Sequence, residues 1–370
     1  MACVCVRVRL GRITSIRLPR NGLTGTIPPA LGQLKYLMEL DLALSSLSGT
    51  IPTQLGRLSR LQFLSLADNS LSGSVPTQLA LLGNTSTFDD EDRMLQRTLT
   101  YAAPLPLSRL DLGRNNLSGS LPTELALLSA LRLLDVSSNL GLGGGGLPTQ
   151  LGRLSLLTVF RGDRCRFDGY LPTQLGNMPA SVTMRLGDNA LSGTLPTELG
   201  RLRALSSLTL GENRLSGSLP ETLGGLVAVE RLELQDNRLS GTIPDFFAAL
   251  SRLAHWDTFG NALSGDVPPS AASCASTVTH FYVQDDNLDL LADYLCGRDT
   301  FQYQGSSKRN YGALLLPSYH RLLPFHCTRG ASPFLASGDR WGDGGFLKYG
   351  MEAQVLTPPA DPPPPQPPST

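Results

Sequence analysis

The sequence predicts an α/β solenoid, in which short strands form a parallel sheet and short helical turns carry the chain from one strand to the next. Two observations lead to this prediction. A proline recurs with a period of 24 residues through most of the chain, and a short segment of alternating apolar residues precedes each proline. One such unit cannot bury its own apolar edge, whereas a stack of units can form a continuous core.

Ten prolines define the period, and seven of the nine spacings between them are 24 residues. The other two spacings are 46 and 26, which we interpret as one period plus insertions of 22 and 2 residues. The prolines are Pro28, Pro52, Pro76, Pro122, Pro148, Pro172, Pro196, Pro220, Pro244 and Pro268.

Other residues keep fixed offsets from these prolines. A glycine stands three residues before each of them, as in Gly49 and Gly73. The position seven before, which we call the ladder position, is nearly always asparagine, allowing for the 2-residue insertion after Asn139. The ladder positions are Asn21, Asn69, Asn115, Asn139, Cys165, Asn189, Asn213, Asn237 and Asn261, with Ser45 in the tenth.

Each offset has a physical reason. Residues 61–66 alternate apolar and exposed positions at their end, which predicts a short strand. The asparagine that follows is expected to satisfy backbone groups of the turn and to form a ladder from coil to coil. Glycine permits a positive φ at the next bend. Proline then fixes φ at the entry to a short helical turn, and a leucine three residues later points into the core.

The exposed strand position, eleven residues before each proline, predicts the character of the sheet surface. Allowing for the 2-residue insertion before Pro148, it is occupied by Arg17, Asp41, Ser65, Asp111, Asp135, Arg161, Arg185, Thr209, Glu233 and Asp257. Neighbouring positions add Arg164 and Arg166, and further on Glu212, Asp236 and His255. The arginines at 161, 164, 166 and 185 form a predicted basic patch between acidic stretches. It fits either a solvated sheet of mixed charge or a docking site for an acidic group of a ligand.

Residues 64–79 read LSLADNSLSGSVPTQL, and this unit resembles the plant-specific leucine-rich repeat. It is similar to units in the ectodomains of plant receptor-like kinases, receptor-like proteins and polygalacturonase inhibitors. The resemblance covers roughly residues 10–268. It implies a right-handed superhelix with a concave parallel β-sheet, short extra strands beside it and short 3₁₀ turns on the convex side.

The resemblance also implies a receptor-like, signalling role. We expect a non-catalytic module that recognises a protein or peptide ligand on its concave face. The alternative is an intracellular scaffold or regulatory protein built on the same solenoid. No metalloprotease, nucleotide-binding, kinase or nucleophile-elbow motif occurs, so we expect neither an enzyme nor a cofactor. The formal net charge of +0 gives no general attraction to nucleic acid.

The pattern divides the chain into four parts. Residues 1–9 are interpreted as a remnant of an N-terminal cap. Residues 10–289 form the solenoid, with about ten repeats, one further degenerate repeat and an inserted loop at 83–104. Residues 290–357 are predicted to be irregular. Residues 358–370 form a proline-rich tail, suited to a stalk or to a proline-reading domain. The acidic inserted loop is either a solvated surface loop or a partner-binding loop.

The cysteines and the glycosylation sequons bear on the cellular compartment in which the protein is found. Cys296 and Cys327 are expected to form a disulfide in an oxidising compartment and to remain thiols in a reducing one. Their spacing relative to His320 and His326 fits no standard zinc pattern, so no metal is expected. Two sequons, at Asn84 and Asn116, are glycosylation sites only in a secreted protein. No apolar run is long enough to span a bilayer. Arg7 and Arg9 interrupt any signal peptide, so both an extracellular and a cytoplasmic location remain open.

Overall fold

The computed structural model describes residues 5–9, 11–83, 106–265 and 268–274, and three further strands at 280–283, 302–306 and 311–315. The inserted loop beyond Gly83, the proline-rich tail, Asn84, Cys296 and Cys327 lie outside the described residues. The account below therefore concerns the repeat region and the strands that continue its sheet.

A 14-stranded sheet, which we call the long sheet, runs through every coil. Its neighbours from β2 to β20 pair in parallel, whereas β1, β21 and β22 pair antiparallel at its two ends. Numbered in chain order together with the flanking strands, and given in sheet order, its members are β1 (Cys5–Arg9), β2 (Arg12–Arg17), β4 (Glu39–Asp41), β6 (Phe63–Ser65), β8 (Arg109–Asp111), β10 (Leu133–Asp135), β11 (Val159–Arg161), β12 (Thr183–Arg185), β14 (Ser207–Thr209), β16 (Arg231–Glu233), β18 (His255–Asp257), β20 (His280–Val283), β22 (Tyr311–Leu315) and β21 (Gln302–Ser306).

The two ends of the long sheet differ from its repeats. Residues 5–9, within the stretch interpreted as a cap remnant, form an antiparallel strand on β2. Residues 302–306 and 311–315, within the stretch predicted to be irregular, form a further antiparallel pair beyond β20. Each end of the parallel array is therefore extended by antiparallel strands.

Two smaller parallel sheets flank the long sheet, each with four strands. The first contains β3 (Thr24–Thr26), β5 (Ser46–Thr50), β7 (Ser70–Ser74) and β9 (Asn116–Ser118). The second contains β13 (Ser192–Gly193), β15 (Arg214–Gly217), β17 (Arg238–Gly241) and β19 (Ala262–Leu263). Between them, the coils that carry the glycine run 143–146 and Cys165 form only isolated bridges.

Short 3₁₀ helices return the chain between strands, and the described residues contain no α-helix. Most of them follow the repeat proline directly, whose φ lies near −65° and suits helix entry, as at Pro76 with φ −67°. The helices are Pro29–Gln33, Thr53–Arg57, Thr77–Leu81, Thr123–Leu127, Thr149–Arg153, Thr173–Asn177, Thr197–Arg201, Glu221–Gly225, Phe247–Ala249 and Pro269–Cys274.

Leucine dominates the single continuous core. Leu64 and Leu66, at the strand, and Leu79, in the helical turn, are all fully buried. Towards the C-terminal coils the core becomes aromatic, because Phe247 packs edge-on against Trp256 with ring centroids 4.9 Å apart. A low proportion of aromatic residues thus suffices for a core built from one leucine layer per coil.

The ladder asparagines bond both to their own coil and to the preceding coil. Asn213 Nδ2 donates to the carbonyl oxygens of Leu186, Leu210 and Gly211 at 3.0, 3.0 and 3.2 Å. Its Oδ1 accepts the backbone N–H of Leu191 at 3.0 Å. The same acceptor role is repeated at Asn69, Asn115, Asn139, Asn189, Asn237 and Asn261. One amide per coil therefore connects the turn after the long sheet to the flanking strand.

The other occupants of the ladder position show what the amide supplies. Cys165 Sγ donates to the carbonyl oxygens of Val136 and Asp163 at 3.1 and 3.5 Å, as an asparagine Nδ2 would. A thiol is a weak acceptor. In the preceding coil the N–H of Leu142 donates instead to Asn139 O at 3.0 Å. The glycine-rich turn therefore supplies, within its own coil, the acceptor that Cys165 does not provide.

Two rows of residues adopt positive φ. The glycines three before each proline do so in all ten coils, as at Gly49 with φ +76°. A second row, immediately before the ladder position, was not predicted and consists mainly of non-glycine residues. It contains Arg20, Leu44, Asp68, Arg114, Ser138, Arg164, Asp188, Glu212 and Asp236, with φ between 52° and 57°. This conformation is costly for side-chain-bearing residues, so the surrounding bonds must hold it in place.

We predict that Asn213→Ala lowers the free energy of unfolding by about 1–3 kcal/mol, because it leaves buried backbone groups without partners. Asn189→Ala is expected to behave alike, since Asn189 Oδ1 accepts the N–H groups of both Cys165 and Phe167. Urea denaturation measures both. Asn116→Ala, at an exposed amide outside the ladder, is the matched control and should leave stability unchanged. Equal midpoints for all four proteins would contradict a ladder role.

Candidate functional site

The predicted surface row is aligned in the structure. Arg17, Asp41, Ser65 and Asp111 are register partners on successive strands, and the row continues through Asp135. The later members then follow in register in the order Arg161, Arg185, Thr209, Glu233 and Asp257. Side chains from ten distant parts of the sequence therefore form one line across the long sheet.

Three members of this row are buried, although the sequence predicted exposure for the whole row. Ser65, Asp135 and Thr209 retain only 4%, 7% and 8% of their accessible surface. Ser65 lies between two aspartates, and Thr209 lies between Arg185 and Glu233, so each is a short side chain between longer ones. The exposed part of the row is therefore narrower than predicted.

The aspartates of the row have a local structural role. The backbone N–H two residues later donates to Asp41 Oδ1 at 3.2 Å, to Asp135 Oδ1 at 3.0 Å and to Asp257 Oδ1 at 3.0 Å. Short polar side chains commonly support turns in this way. These carboxylates help to end the strands, so their presence has a structural explanation. The arginines of the row are therefore the better candidates for contact with a ligand.

The four predicted arginines do not form one patch of unpaired charge. Arg161 and Arg185 are register partners on β11 and β12. Arg161 Nη1 lies 3.4 Å from Asp135 Oδ2, and Arg164 Nε lies 3.0 Å from Asp188 Oδ2. Neighbouring carboxylates thus offset part of the repulsion between these positive charges.

Arg185 and Arg166 form no ion pair with a described residue. Arg185 is exposed, and its charge partly offsets the effect of burial, which raises the pKa of Asp163. Arg166 is exposed at the position that begins the flanking strands in other coils, as Ser70 and Arg214 do. Arg166 thus lies on the surface formed by the flanking strands, which we call the flank. Arg161 and Arg185 remain as the basic centre of the long sheet.

Beyond this basic centre the later coils carry acidic groups. Burial, together with the carboxylates of Glu233 and Asp236, raises the pKa of Asp257 to about 7. Burial and the charges of Asp188 and Asp236 likewise raise the pKa of Glu212. His255, predicted to be exposed, is largely covered, and its Nε2 lies 3.5 Å from Glu233 Oε1. The row therefore changes sign from basic to acidic over a few coils.

Other predicted sites lie apart from this row. Asn116 is exposed at the start of β9, where a glycan could be accommodated. Cys165 is buried as a free thiol, and burial raises its pKa to about 12. Within the described residues, no cluster of three or more His, Cys, Asp or Glu is arranged to hold a metal ion. No described helix has the length and apolar character needed to cross a bilayer.

Comparison with known proteins agrees with this architecture. The Leucine Rich Repeat family model matches residues 60–82, 106–128, 204–226 and 228–250. Each of these segments contains one strand of the long sheet, one flanking strand and the 3₁₀ helix that follows, so each matched repeat corresponds to one coil. The chain is a leucine-rich-repeat protein. No curated protein matches it in sequence.

Several solved leucine-rich-repeat structures are similar to it. One is the ectodomain of the Arabidopsis thaliana membrane receptor kinase GASSHO1/SCHENGEN3 in complex with CASPARIAN STRIP INTEGRITY FACTOR 2, with a TM-score of 0.65 and 33% identity over 73% of this chain and 30% of that chain. Another is the plant peptide hormone receptor RGFR1 in complex with RGF2, with a TM-score of 0.51 and 27% identity over 72% and 46%. The chain thus spans less than half the length of these two receptors.

A third similar structure belongs to a different functional class. It is a plant ice-binding protein, with a TM-score of 0.56 and 25% identity over 72% of this chain and 78% of that chain. Structural similarity therefore extends to leucine-rich-repeat proteins with different ligands, and the fold alone does not select among them.

The raised pKa of Asp257 predicts a pH dependence of stability. Its carboxyl loses the proton near pH 3.8 when unfolded and near pH 7 when folded, so between these values the folded state binds more protons. The free energy of unfolding therefore falls as the pH rises through this window. We expect Asp257→Asn to reduce that slope, as measured by urea denaturation at pH 5 and pH 8. Asp245→Asn, a control outside the row, should retain the parent slope; identical slopes in all three proteins would contradict the assignment.

Proposed function

We propose that this leucine-rich-repeat protein is a non-catalytic recognition module that binds a peptide or protein ligand along the row on its long sheet. The observation that carries the proposal is the in-register line of side chains, whose charge changes from basic at Arg161 and Arg185 to acidic at Glu233 and Asp257. An extended ligand across the strands meets the exposed or partly exposed members of this row in turn and passes over the buried Thr209. The peptide complexes formed by two similar receptors support this reading.

The charge order favours one orientation of such a ligand. Arg185 is exposed, and Arg161 is partly exposed beside its weak contact with Asp135. A carboxylate of the ligand would therefore meet two guanidinium groups on adjacent strands, which suit bidentate contacts. A cationic group of the same ligand would face the later acidic coils. Because both arginines leave strands held by a packed core, little conformational entropy is lost on binding.

The test uses a phage-displayed library of short random peptides selected on the purified chain. We expect the enriched peptides to carry an acidic group, and the double variant Arg161→Ser, Arg185→Ser to bind the best of them at least about tenfold more weakly. Binding by the parent should also weaken with added salt, because the contact is partly exposed.

The matched control removes the same charge from the flank. Arg214 and Arg238 are exposed on β15 and β17, so Arg214→Ser, Arg238→Ser should bind as the parent does. Thermal melting first establishes that both double variants fold. Failure of the parent to enrich any peptide, or equal binding by both variants, would argue against the proposal.

A second candidate function rests on a different surface. The first residue of six successive 3₁₀ helices is an exposed threonine, namely Thr53, Thr77, Thr123, Thr149, Thr173 and Thr197. In four of them the hydroxyl donates to the side chain of the next residue, as Thr149 Oγ1 does to Gln150 Oε1 at 3.2 Å. The same pair of groups, one hydroxyl and one methyl, is therefore repeated from coil to coil, and a periodic row of this kind suits a periodic surface such as ice. The similar ice-binding protein makes ice the second candidate ligand.

Ice recrystallisation inhibition tests this candidate. The parent should inhibit crystal growth, and Thr123→Lys, Thr149→Lys should abolish the inhibition, because two long charged side chains in the middle of the row interrupt the repeat of hydroxyl and methyl groups. Val182→Lys, at an exposed position directly before β12 of the long sheet, serves as the control and should retain it. Absence of inhibition by the parent would eliminate ice as a ligand.

A further inference from the structure

The strand β1, Cys5–Arg9, lies at one end of the long sheet. It pairs antiparallel with β2, and no other described strand lies beside it, so we call its far side the open edge. Its sequence, CVRVR, alternates apolar and basic residues. A strand at the end of a sheet offers backbone N–H and C=O groups that can pair with another segment of chain.

The backbone groups that face the open edge are those of Val6 and Val8. After β2 the Leu18 N–H donates to a carbonyl oxygen of β4 at 2.8 Å. Backbone groups alternate in direction along a strand, so those of Ser15, three residues earlier, face β1. Ser15 is the register partner of Arg7, whose backbone groups therefore face β2. The N–H and C=O groups of the valines on either side of Arg7 thus point away from β2.

The side chains of β1 divide by chemistry between the two faces of the long sheet. Val6 is the register partner of the buried Ile16, so Val6 and Val8 lie on the core side of the sheet. They retain 49% and 59% of their accessible surface, because no further coil covers them among the described residues. Arg7 and Arg9 alternate with them and are exposed. A strand added at the open edge would cover the valines with its own apolar residues.

The hairpin formed by β1 and β2 is positively charged, because residues 5–20 contain five arginines and no acidic residue. This charge disfavours pairing between two copies of β1. The antiparallel arrangement that sets Val6 of each copy opposite Val8 of the other also sets Arg7 opposite Arg7, and like charges in this position destabilise a sheet. An acidic strand instead brings a carboxylate beside each guanidinium group, where charge-assisted hydrogen bonds form. The open edge therefore favours an acidic partner over a second copy.

From these observations we infer that the open edge of β1 binds an extended protein segment in which acidic and apolar residues alternate, as an added strand of the long sheet. The backbone groups of Val6 and Val8 supply hydrogen bonds that give affinity, and the alternating side chains give specificity. The acidic residues of the segment pair with Arg7 and Arg9, and its apolar residues pack beside the valines. Five strands of the long sheet separate β1 from β11, so this surface is distinct from the basic centre of the row.

The test measures, by fluorescence anisotropy, the binding of a labelled seven-residue peptide that alternates glutamate and valine to the full chain. We expect saturable binding, and binding at least about tenfold weaker when lysine replaces glutamate in the peptide. The valines of the bound peptide face Val6 and Val8, so N-methylation of the valine nitrogens should abolish binding. N-methylation of the glutamate nitrogens, which point away from β1, should leave binding in place and serves as the matched control.

Variants of the chain locate the peptide on the open edge. Val8→Pro removes one outward N–H and no bond between β1 and β2, so it should weaken binding at least about tenfold with an unchanged melting temperature. Val8→Thr keeps this N–H and should bind as the parent does. The double variant Arg161→Ser, Arg185→Ser should also bind as the parent does, which makes the result independent of the proposed ligand of the row.

Four outcomes would overturn the inference. They are absence of binding by the parent, equal binding of the glutamate and lysine peptides, equal binding by the parent and Val8→Pro, and loss of binding only in the double variant of the row. Analytical ultracentrifugation of the chain without peptide adds a fifth. A parent dimer that Val8→Pro converts to a monomer would identify a second copy, and not an acidic segment, as the occupant of the open edge.

Discussion

One amide side chain in each of seven coils fixes the register of the solenoid. Apolar stacking supplies most of the driving force, but it has no direction and would tolerate a small slip between coils. The asparagine tolerates none, since its Nδ2 and Oδ1 must meet groups of two successive coils, as Asn213 does with Leu186 and Leu191. The long sheet, the flanking strands and the helical turns are aligned because most coils meet this requirement in the same way, namely those of Asn69, Asn115, Asn139, Asn189, Asn213, Asn237 and Asn261.

The repeated features could be predicted from the sequence because each coil imposes the same local demand. The strand at Leu64, the positive φ of Gly49 and the burial of Leu79 follow from fixed offsets within one unit. Burial within the surface row could not be predicted in this way. Ser65 and Thr209 are covered because of the side chains on neighbouring strands, which depend on how different coils face one another.

The contacts of the candidate binding surface could not be predicted from the sequence for the same reason. The sequence predicts four arginines close together, yet it does not reveal that Arg161 is held by Asp135 or that Arg164 pairs with Asp188. The assignment of Arg166 to the flank requires the backbone turn between residues 164 and 166, where two non-glycine residues adopt positive φ.

The pairing of the glycine-rich turn with Cys165 has a consequence for how such an array can be rearranged. Most units carry both an acceptor for the unit before and a donor for the unit after, so a whole unit can be duplicated, deleted or exchanged without leaving a group unmatched. The unit containing Cys165 offers no such acceptor, and the unit before it bonds Leu142 to its own Asn139 instead. Grafted behind an ordinary unit, the cysteine unit would leave one backbone N–H unsatisfied. These two coils can therefore be exchanged only as a pair among the units that carry a ladder asparagine.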